Sequence, residues 1–357
     1  MILKLTRLAS LTALVLSSCA QVDDGTTLSG HPIVGGSEVA TCGWPTAVSF
    51  GGCDGVLVHP SVVLTAAHCL GGRPPEVVIF GDSQSTPAFT VPVKTCTAHP
   101  DYQNAVGHDI AFCTLAEPAT GIPIVPVMPA CEANAGGLRP GAAALLVGFG
   151  DVAEGKSGGG IKRAVSAPIQ RLRAEDREII VGTGTQGACE GDSGGPGFVK
   201  ASDETWRVFG VVSRMGPTLD GSEALPCAST TTYTSIPAHV AWLEAASGFD
   251  LTPCHDGAGW NPGPSCNAVP SGAANEASGS WDDRCGSIPT IVPAPTCAAR
   301  TADAGADAAG IDVGADTDGA GPSPEDANGG CTVAAPGLDG AVGAIIVGLA
   351  LVSATRR

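Results

Sequence analysis

Charged residues are scarce in this chain, and basic residues are the scarcer kind. Only 15% of the 357 residues are charged, with 18 Lys and Arg against 35 Asp and Glu, which gives a formal net charge of −17. A field of this sign repels phosphate, so we expect no electrostatic binding to nucleic acid or to anionic lipid. The hydrophobic fraction of 43% is enough for a large folded core.

Closely spaced cysteine pairs are absent as well. None of the 14 cysteines is separated from the next by only two to four residues, which is the spacing typical of structural zinc sites. We therefore expect no metal site built from cysteine. The even number and scattered positions of the cysteines indicate disulfides formed in an oxidising compartment.

No apolar run reaches the roughly 20 residues that a helix needs to cross a bilayer. Residues 1–18 combine a basic start with a short apolar stretch, which predicts a signal peptide. The following Cys19 completes a pattern that resembles a bacterial lipobox, in which Cys19 would be acylated. The alternative is ordinary cleavage near Ala20. Residues 19–32 are polar and read as a pro-segment or tether.

The C-terminal third changes character in three steps. Residues 250–299 hold four cysteines and little apolar material, which predicts a small module held by two disulfides. Residues 300–330 are almost all Ala, Gly, Asp and Pro, a composition that predicts a disordered acidic linker. Residues 250–330 contain twelve acids and two bases, so much of the negative charge lies there.

Residues 331–357 contain a cysteine, a short apolar stretch and two terminal arginines. This arrangement resembles the C-terminal sorting signals of myxobacterial surface proteins; the alternative is a weak anchor helix. Either interpretation predicts an exported protein that is secreted or held at the bacterial cell surface or outer membrane through its terminal segments.

Residues 33–249 show short apolar runs between Gly, Pro and Asp turns, such as Val62–Thr65, Val77–Phe80 and Ala143–Phe149. Regular short strands with turn signals predict an all-β sandwich or barrel. One helix is expected near residue 240, with Pro237 at its start.

Four short motifs follow one another in this β region: Ile33-Val34-Gly35-Gly36, Thr65-Ala66-Ala67-His68-Cys69, His108-Asp109-Ile110-Ala111 and Gly191-Asp192-Ser193-Gly194-Gly195-Pro196. In this order and at these separations they resemble the chymotrypsin/trypsin family of serine peptidases. The resemblance implies two packed six-stranded antiparallel β-barrels and hydrolysis of peptide bonds through an acyl-enzyme. It also implies a protein or peptide substrate and no cofactor; we expect a monomer.

The residue types suit that chemistry. A serine hydroxyl is a weak nucleophile that needs an adjacent base, and imidazole titrates near neutral pH. By resemblance, Ser193 attacks the scissile carbonyl, His68 carries the proton and Asp109 orients His68. The N–H groups of Gly191 and Ser193 hold the oxyanion. Asp101 is the nearby alternative to Asp109, but the apolar strand that follows favours Asp109.

The resemblance also implies activation by cleavage between Pro32 and Ile33. The new α-amine would pair with the buried Asp192 carboxylate and organise the oxyanion hole. Pro32 stands where the family usually has Arg or Lys, so a trypsin-like activator is not expected. If Cys19 is acylated, this cleavage would also separate the lipid from the peptidase unless the pro-segment stays bound.

The residues of the primary specificity pocket depart from the trypsin pattern. Gly187, six positions before the nucleophile, stands at the pocket base and offers no acid to pair with Arg or Lys. Ser213 begins one wall, Met215 narrows it and Thr231 fills the pocket from the other side. The sequence therefore predicts small or apolar side chains at the cleaved position. The alternative is a rearranged loop with a non-standard pocket.

The cysteines can be assigned by the same resemblance. The expected pairs are Cys53–Cys69, Cys189–Cys227, Cys96–Cys113 and Cys42–Cys131. The remaining Cys254, Cys266, Cys285 and Cys297 would pair within the 250–299 module in one of three ways, and Cys19 and Cys331 would stay unpaired.

Two competing interpretations remain open at this point. A surface binding or adhesion protein could use a peptidase scaffold, as the altered wall at Arg214 and Met215 suggests, although all three triad residues are present. Alternatively, the 250–299 module determines function by binding substrate or cell wall.

Overall fold

Short apolar runs between turn residues form strands, as the sequence predicts. The computed structural model describes residues 33–152, 158–175, 177–201, 204–216, 227, 230–253, 255–256, 259–260 and 279–285. The signal peptide, the tether, the acidic linker and the C-terminal sorting segment lie outside the described residues, as do Cys19, Cys254, Cys266, Cys297 and Cys331.

The first barrel is a closed antiparallel sheet of six strands. Their order around the barrel is β2-β3-β4-β7-β6-β5, and it closes where Ser49 pairs with Ile79. The strands are β2 (Ala47–Ser49), β3 (Asp54–His59), β4 (Val62–Thr65), β5 (Val77–Phe80), β6 (Phe89–Ala98) and β7 (Ala111–Leu115).

The second barrel also closes from six antiparallel strands. Their order is β9-β10-β13-β12-β11-β8, and β8 pairs back onto β9. They are β8 (Ala143–Gly148), β9 (Arg163–Arg173), β10 (Glu178–Val181), β11 (Pro196–Lys200), β12 (Trp206–Met215) and β13 (Thr231–Ser235). A short strand, β1 (Ser37–Glu38), adds to the outside of β9. The expected fold of two six-stranded barrels is therefore confirmed.

Two α-helices, one hairpin and three short turns of 3₁₀ or π-helix (Ala67–Leu70, Ala133–Gly137 and Trp281–Asp283) complete the described secondary structure. The helix α1 (Ala130–Glu132) lies in the segment that joins β7 to β8, and the hairpin consists of β14 (His255–Asp256) and β15 (Gly259–Trp260). The helix α2 (Val240–Ser247) begins three residues after Pro237, because His239 takes a non-helical conformation and its Nδ1 donates to the Ser235 carbonyl at 2.7 Å. Among the described helices, none has the length and apolar character needed to traverse a membrane.

The buried apolar residues of the described ranges form three clusters. One fills the first barrel, with Val48, Leu57 and Phe80 among its members, and one fills the second barrel around Phe209. The third lies between the barrels and includes Phe112. The cleft between the barrels is therefore set by packing on both sides.

Two expected cysteine pairings are wrong. Cys42 bonds Cys285, 243 positions away, so it does not pair with Cys131 and Cys285 does not pair within its own module. Cys131 is itself disulfide-bonded. Residues 279–285 reach Cys42 because they lie on the first barrel, where the Trp281 indole N–H donates to Asp82 at 2.8 Å. Tertiary contacts of this kind leave no spacing signal in the sequence.

Candidate active site

His68 lies in a single 3₁₀ turn that follows β4 and is held from two sides by Asp109. Its ring Nδ1 is 2.8 Å from Asp109 Oδ2, and its backbone N–H donates to Asp109 Oδ1 at 2.9 Å. Since an ionised carboxylate can only accept, Nδ1 carries the proton and Nε2 is left with its lone pair. The ring stays one-third exposed, so Nε2 can act as a base toward a substrate in the cleft.

Asp109 lies two residues before β7 and accepts a further hydrogen bond from the second barrel. The Ser213 hydroxyl donates to its Oδ2 at 2.7 Å, and the Thr234 hydroxyl donates to its backbone carbonyl at 3.0 Å. Burial raises the pKa of Asp109, but the hydrogen bonds from His68 and Ser213 outweigh burial and hold that pKa below its ordinary value. Sequence reasoning placed Ser213 in the pocket wall and missed this contact.

Ser193 lies on the loop that leads into β11, against the segment that carries His68. Its carbonyl accepts the Asp54 N–H at 2.7 Å, and the next residue, Gly194, has φ +81°. A side chain on Gly194 would collide with Thr65, three positions before His68. The bridge Cys53–Cys69 joins the residues that flank these contacts. The structure thus brings the Ser193 loop and His68 together at the cleft.

The loop of Ser193 carries two backbone donors of interest, the N–H groups of Gly191 and of Ser193 itself. In the ranges that the structure describes, neither the Gly191 N–H nor the Ser193 N–H has an intramolecular hydrogen-bond partner. Pairs of unused N–H groups on one loop can bind an oxyanion that develops on a substrate carbonyl.

Asp192 is a buried acceptor on the same loop. Its two carboxylate oxygens accept the N–H groups of Gly150 and Cys189, each at 2.8 Å. Burial is the largest influence and raises the pKa of Asp192 to about 7. Ile33 is 1% exposed and lies in the core of the second barrel, while Val34 pairs with Gly187. The expected activation residues therefore lie in one region of the second barrel.

A second buried acid, Asp54, lies next to Asp192, and sequence reasoning missed it. A side chain on Gly148 would collide with the carboxylates of both residues, so the two acids line the same space. Asp54 Oδ2 accepts the Phe149 N–H at 2.7 Å, but Oδ1 has no hydrogen-bond partner in the part of the chain that the structure describes. Burial and the Asp192 charge raise the pKa of Asp54 well above its ordinary value. The only signal in the sequence was an acid at the first position of an apolar strand.

Two residues expected at the specificity pocket lie on neighbouring strands of the second barrel, where Met215 pairs with Thr231. The Thr231 hydroxyl is fully buried and accepts the Ala188 N–H at 2.8 Å, beside Gly187. Met215 is partly buried against the core of the second barrel. Arg214, which precedes it, is exposed and pairs with the buried Glu178 at 2.6 Å. The bridge Cys189–Cys227 lies beside the pocket, and Cys96–Cys113 joins β6 to β7.

Comparison with known proteins gives the same class as this geometry. A family model described as "Trypsin" matches residues 33–243. A "Trypsin-like protease" of Streptomyces glaucescens is 30% identical over 200 residues, which cover 51% of this chain and 72% of that protein. The "Tryptase" of Mus musculus is 30% identical over 244 residues, which cover 58% of this chain and 88% of that protein.

The fold and the site together define a serine endopeptidase with two β-barrels. The chain belongs to the trypsin family, and its substrates are proteins or peptides.

Proposed function

We propose that Ser193, His68 and Asp109 form the catalytic triad of an exported endopeptidase. The observation that carries this proposal is the His68–Asp109 hydrogen bond of 2.8 Å beside a loop whose Gly191 and Ser193 N–H groups have no partner among the described residues. Ser193 attacks the scissile carbonyl while His68 Nε2 takes its proton, and the two N–H groups stabilise the oxyanion. The acyl-enzyme is then hydrolysed by water.

Covalent labelling tests the triad. A fluorophosphonate probe should label the cleaved protein at one residue, and Ser193→Ala should abolish labelling. Ser85→Ala, which removes an exposed hydroxyl, is the matched control and should label like wild type. Correctly processed wild-type protein that takes up no probe would contradict the proposal.

The enzyme is activated by cleavage before Ile33. This is supported by the burial of Ile33 and by the buried Asp192 carboxylate, whose hydrogen-bond partners among the described residues are backbone N–H groups alone. The new ammonium group of Ile33 supplies that partner and stabilises the loop that holds Gly191 and Ser193.

A defined cleavage site tests activation. If the residues before Ile33 are replaced by a site for an added protease, a cut that leaves Ile33 first should raise activity by at least about 10². A cut that leaves one extra glycine before Ile33 is the control and should give no gain. Full activity in the uncleaved chain would contradict activation while leaving the triad proposal intact.

The primary pocket accepts small or apolar side chains. Gly187 brings no charge, and Thr231 and Met215 reduce the space on the two walls. A cavity of about 580 Å³ lies beside Asp109 and Ser213, along the cleft where the substrate would bind. Cleavage of a peptide library should therefore favour small or apolar residues, and Thr231→Gly should extend the preference to larger apolar residues. Preferred cleavage after Arg or Lys would contradict this assignment.

Export and surface retention complete the proposal. The four described disulfides fit an oxidising compartment, and the sequence of residues 1–18 supports export. Acylation of Cys19 and retention through residues 331–357 are tested by mass spectrometry of the mature protein, which reports both processed ends at once.

A further inference from the structure

Three histidines from separate parts of the chain converge behind Asp109. His99 follows β6, His108 immediately precedes Asp109, and His239 precedes α2. One ring nitrogen of each lies within 4.8 Å of those of the other two. His108 and His239 are buried, and His99 is partly exposed. The proposed peptidase mechanism uses none of these rings.

The hydrogen bonds of His239 fix where its proton lies. Its Nδ1 is 2.7 Å from the Ser235 carbonyl, which can only accept, so Nδ1 carries the proton. Its Nε2 therefore presents a lone pair, and this lone pair is 3.2 Å from His108 Nδ1. A backbone carbonyl that holds one ring nitrogen while the other faces inward is the usual outer support of a metal-binding histidine.

We propose that His99, His108 and His239 form a binding site for a divalent transition-metal ion of the zinc class, through which the ion lowers peptidase activity. Neutral imidazole suits such ions, and zinc binds it at about 2.0–2.1 Å in tetrahedral geometry. Two ligand atoms of such a tetrahedron lie about 3.3 Å apart, close to the 3.2 Å between the nitrogens of His239 and His108. Water supplies the fourth ligand.

Binding requires two local changes, both at the exposed side of the cluster. Without metal, the exposed Arg177 approaches His108 Nε2 at 3.5 Å, which favours the proton on His108 Nδ1. On ligation this proton moves to Nε2, and Arg177 turns away. The ring of His99 stacks on His108 at 4.3 Å and accepts the Asp101 N–H at 3.2 Å, so it must rotate to face the ion.

The effect on activity follows from covalent connection. His108 is bonded directly to Asp109, so movement of its ring toward an ion displaces the carboxylate that orients His68. The second group of metal-binding residue types, Cys53, His68 and Cys69, offers no thiolate because its cysteines form a disulfide. The imidazole of His68 remains the competing site for an added ion.

Calorimetric titration of the EDTA-treated protein with ZnCl₂ tests the site directly. One ion should bind per chain, and His99→Gln should weaken binding by about 100-fold or more. His59→Gln is the matched control, since His59 Nδ1 also accepts the N–H of the residue two positions on, and it should bind like wild type. His68→Ala should keep the affinity. Equal affinity in wild type and His99→Gln, or loss of binding in His68→Ala, would overturn the site.

A variant that is expected to bind Zn²⁺ more tightly separates loss of the site from misfolding, because a misfolded protein would not gain affinity. Arg177→Ala removes a positive charge and the donor that holds the His108 proton, so it should bind Zn²⁺ several-fold more tightly; unchanged or weaker binding would count against the site. The coupling to activity rests on the proposed role of Asp109. Zn²⁺ should lower kcat of the wild type and spare His99→Gln; tight binding without a loss of kcat would overturn the coupling. An inactive protein would contradict the proposed function and leave the titration readable.

Discussion

Two buried carboxylate sites in this protein have opposite charge tendencies. Asp109 lies between the barrels and has its pKa lowered, whereas Asp192, on the active-site loop, and Asp54, next to it, have theirs raised. Burial acts in the same direction on all three. The difference is that Asp109 is held by the His68 ring and the Ser213 hydroxyl, whereas Asp192 accepts only backbone N–H groups and Asp54 Oδ1 has no hydrogen-bond partner among the described residues.

Asp109 belongs to a site that is complete in the uncleaved chain, whereas we infer that the site of Asp192 and Asp54 gains its cationic partner only on cleavage. The donors to Asp109 are present in the uncleaved chain, so they stabilise its negative charge against the effect of burial before any cleavage occurs. The charges of Lys162 and Arg163 act on the two acids beside Gly148, but among the described residues neither acid is in an ion pair, and an ammonium group at Ile33 would supply a direct cationic partner. A buried carboxylate can therefore either orient a catalytic base or bind the ammonium group that cleavage creates, depending on its neighbours.

The largest expected effect comes from removing the charge of Asp109. Asp109→Asn should lower kcat by about 10⁴, because the amide donates to His68 Nδ1 and forces the wrong tautomer. Steady-state kinetics on a peptide substrate measures this. Asp101→Asn, the exposed acid that competes for this role in the sequence, is the control and should stay close to wild type.

Removing the charge of Asp192 should lower activity less than removing that of Asp109. Asp192→Asn should lower kcat/KM of the cleaved enzyme by about 10²–10³, because the Ile33 ammonium loses its partner and the oxyanion donors lose their support. The measurement compares cleaved and uncleaved forms of both proteins. Wild-type activity in cleaved Asp192→Asn would show that the two sites do not differ in the way described.

Removing one hydrogen bond to Asp109 should lower activity less than either loss of charge. Ser213→Ala removes the 2.7 Å hydrogen bond to Asp109 and should lower kcat/KM about tenfold, since a hydrogen bond to a charged group contributes about 1.5–3 kcal/mol. Ser166→Ala on the exposed face of β9 is the matched control. An unchanged kcat/KM would show that His68 alone is enough to hold Asp109.

The smallest effect should be a gain in stability when the carboxylate of Asp54 is replaced by an amide. Since the pKa of Asp54 is raised in the fold, the folded chain keeps a proton that the unfolded chain releases above about pH 3.9. This destabilises the uncleaved protein increasingly as pH rises from about 4 toward neutrality. Asp54→Asn should therefore raise the free energy of unfolding by about 1–3 kcal/mol at pH 7 and change it little near pH 4.

Urea unfolding at both pH values measures this, with Glu117→Gln on the surface as control. The lowered pKa of Asp109 acts with the opposite sign, giving stability above about pH 4 that is lost as pH falls. Equal effects of Asp54→Asn at the two pH values would contradict the difference between the sites.

Much of the fold and the main site residues follow from local sequence. Strands such as β4 and β5 lie where short apolar runs predict them, and the motifs around His68 and Ser193 identify the family. The hydrogen bond from Ser213 to Asp109 spans 104 positions and depends on how β12 docks against the first barrel. Nothing near Ser213 in the sequence marks its target.

The amino-acid sequence by itself determined which chemical groups are available and in what order, because motifs and apolar periodicity are local properties. Tertiary structure alone decided which buried groups gain partners: it bonded Cys42 to Cys285 and left Asp54 facing Asp192. The physical reason is that solvation and charge pairing depend on atoms a few ångströms away, which barrel closure brings from distant parts of the chain.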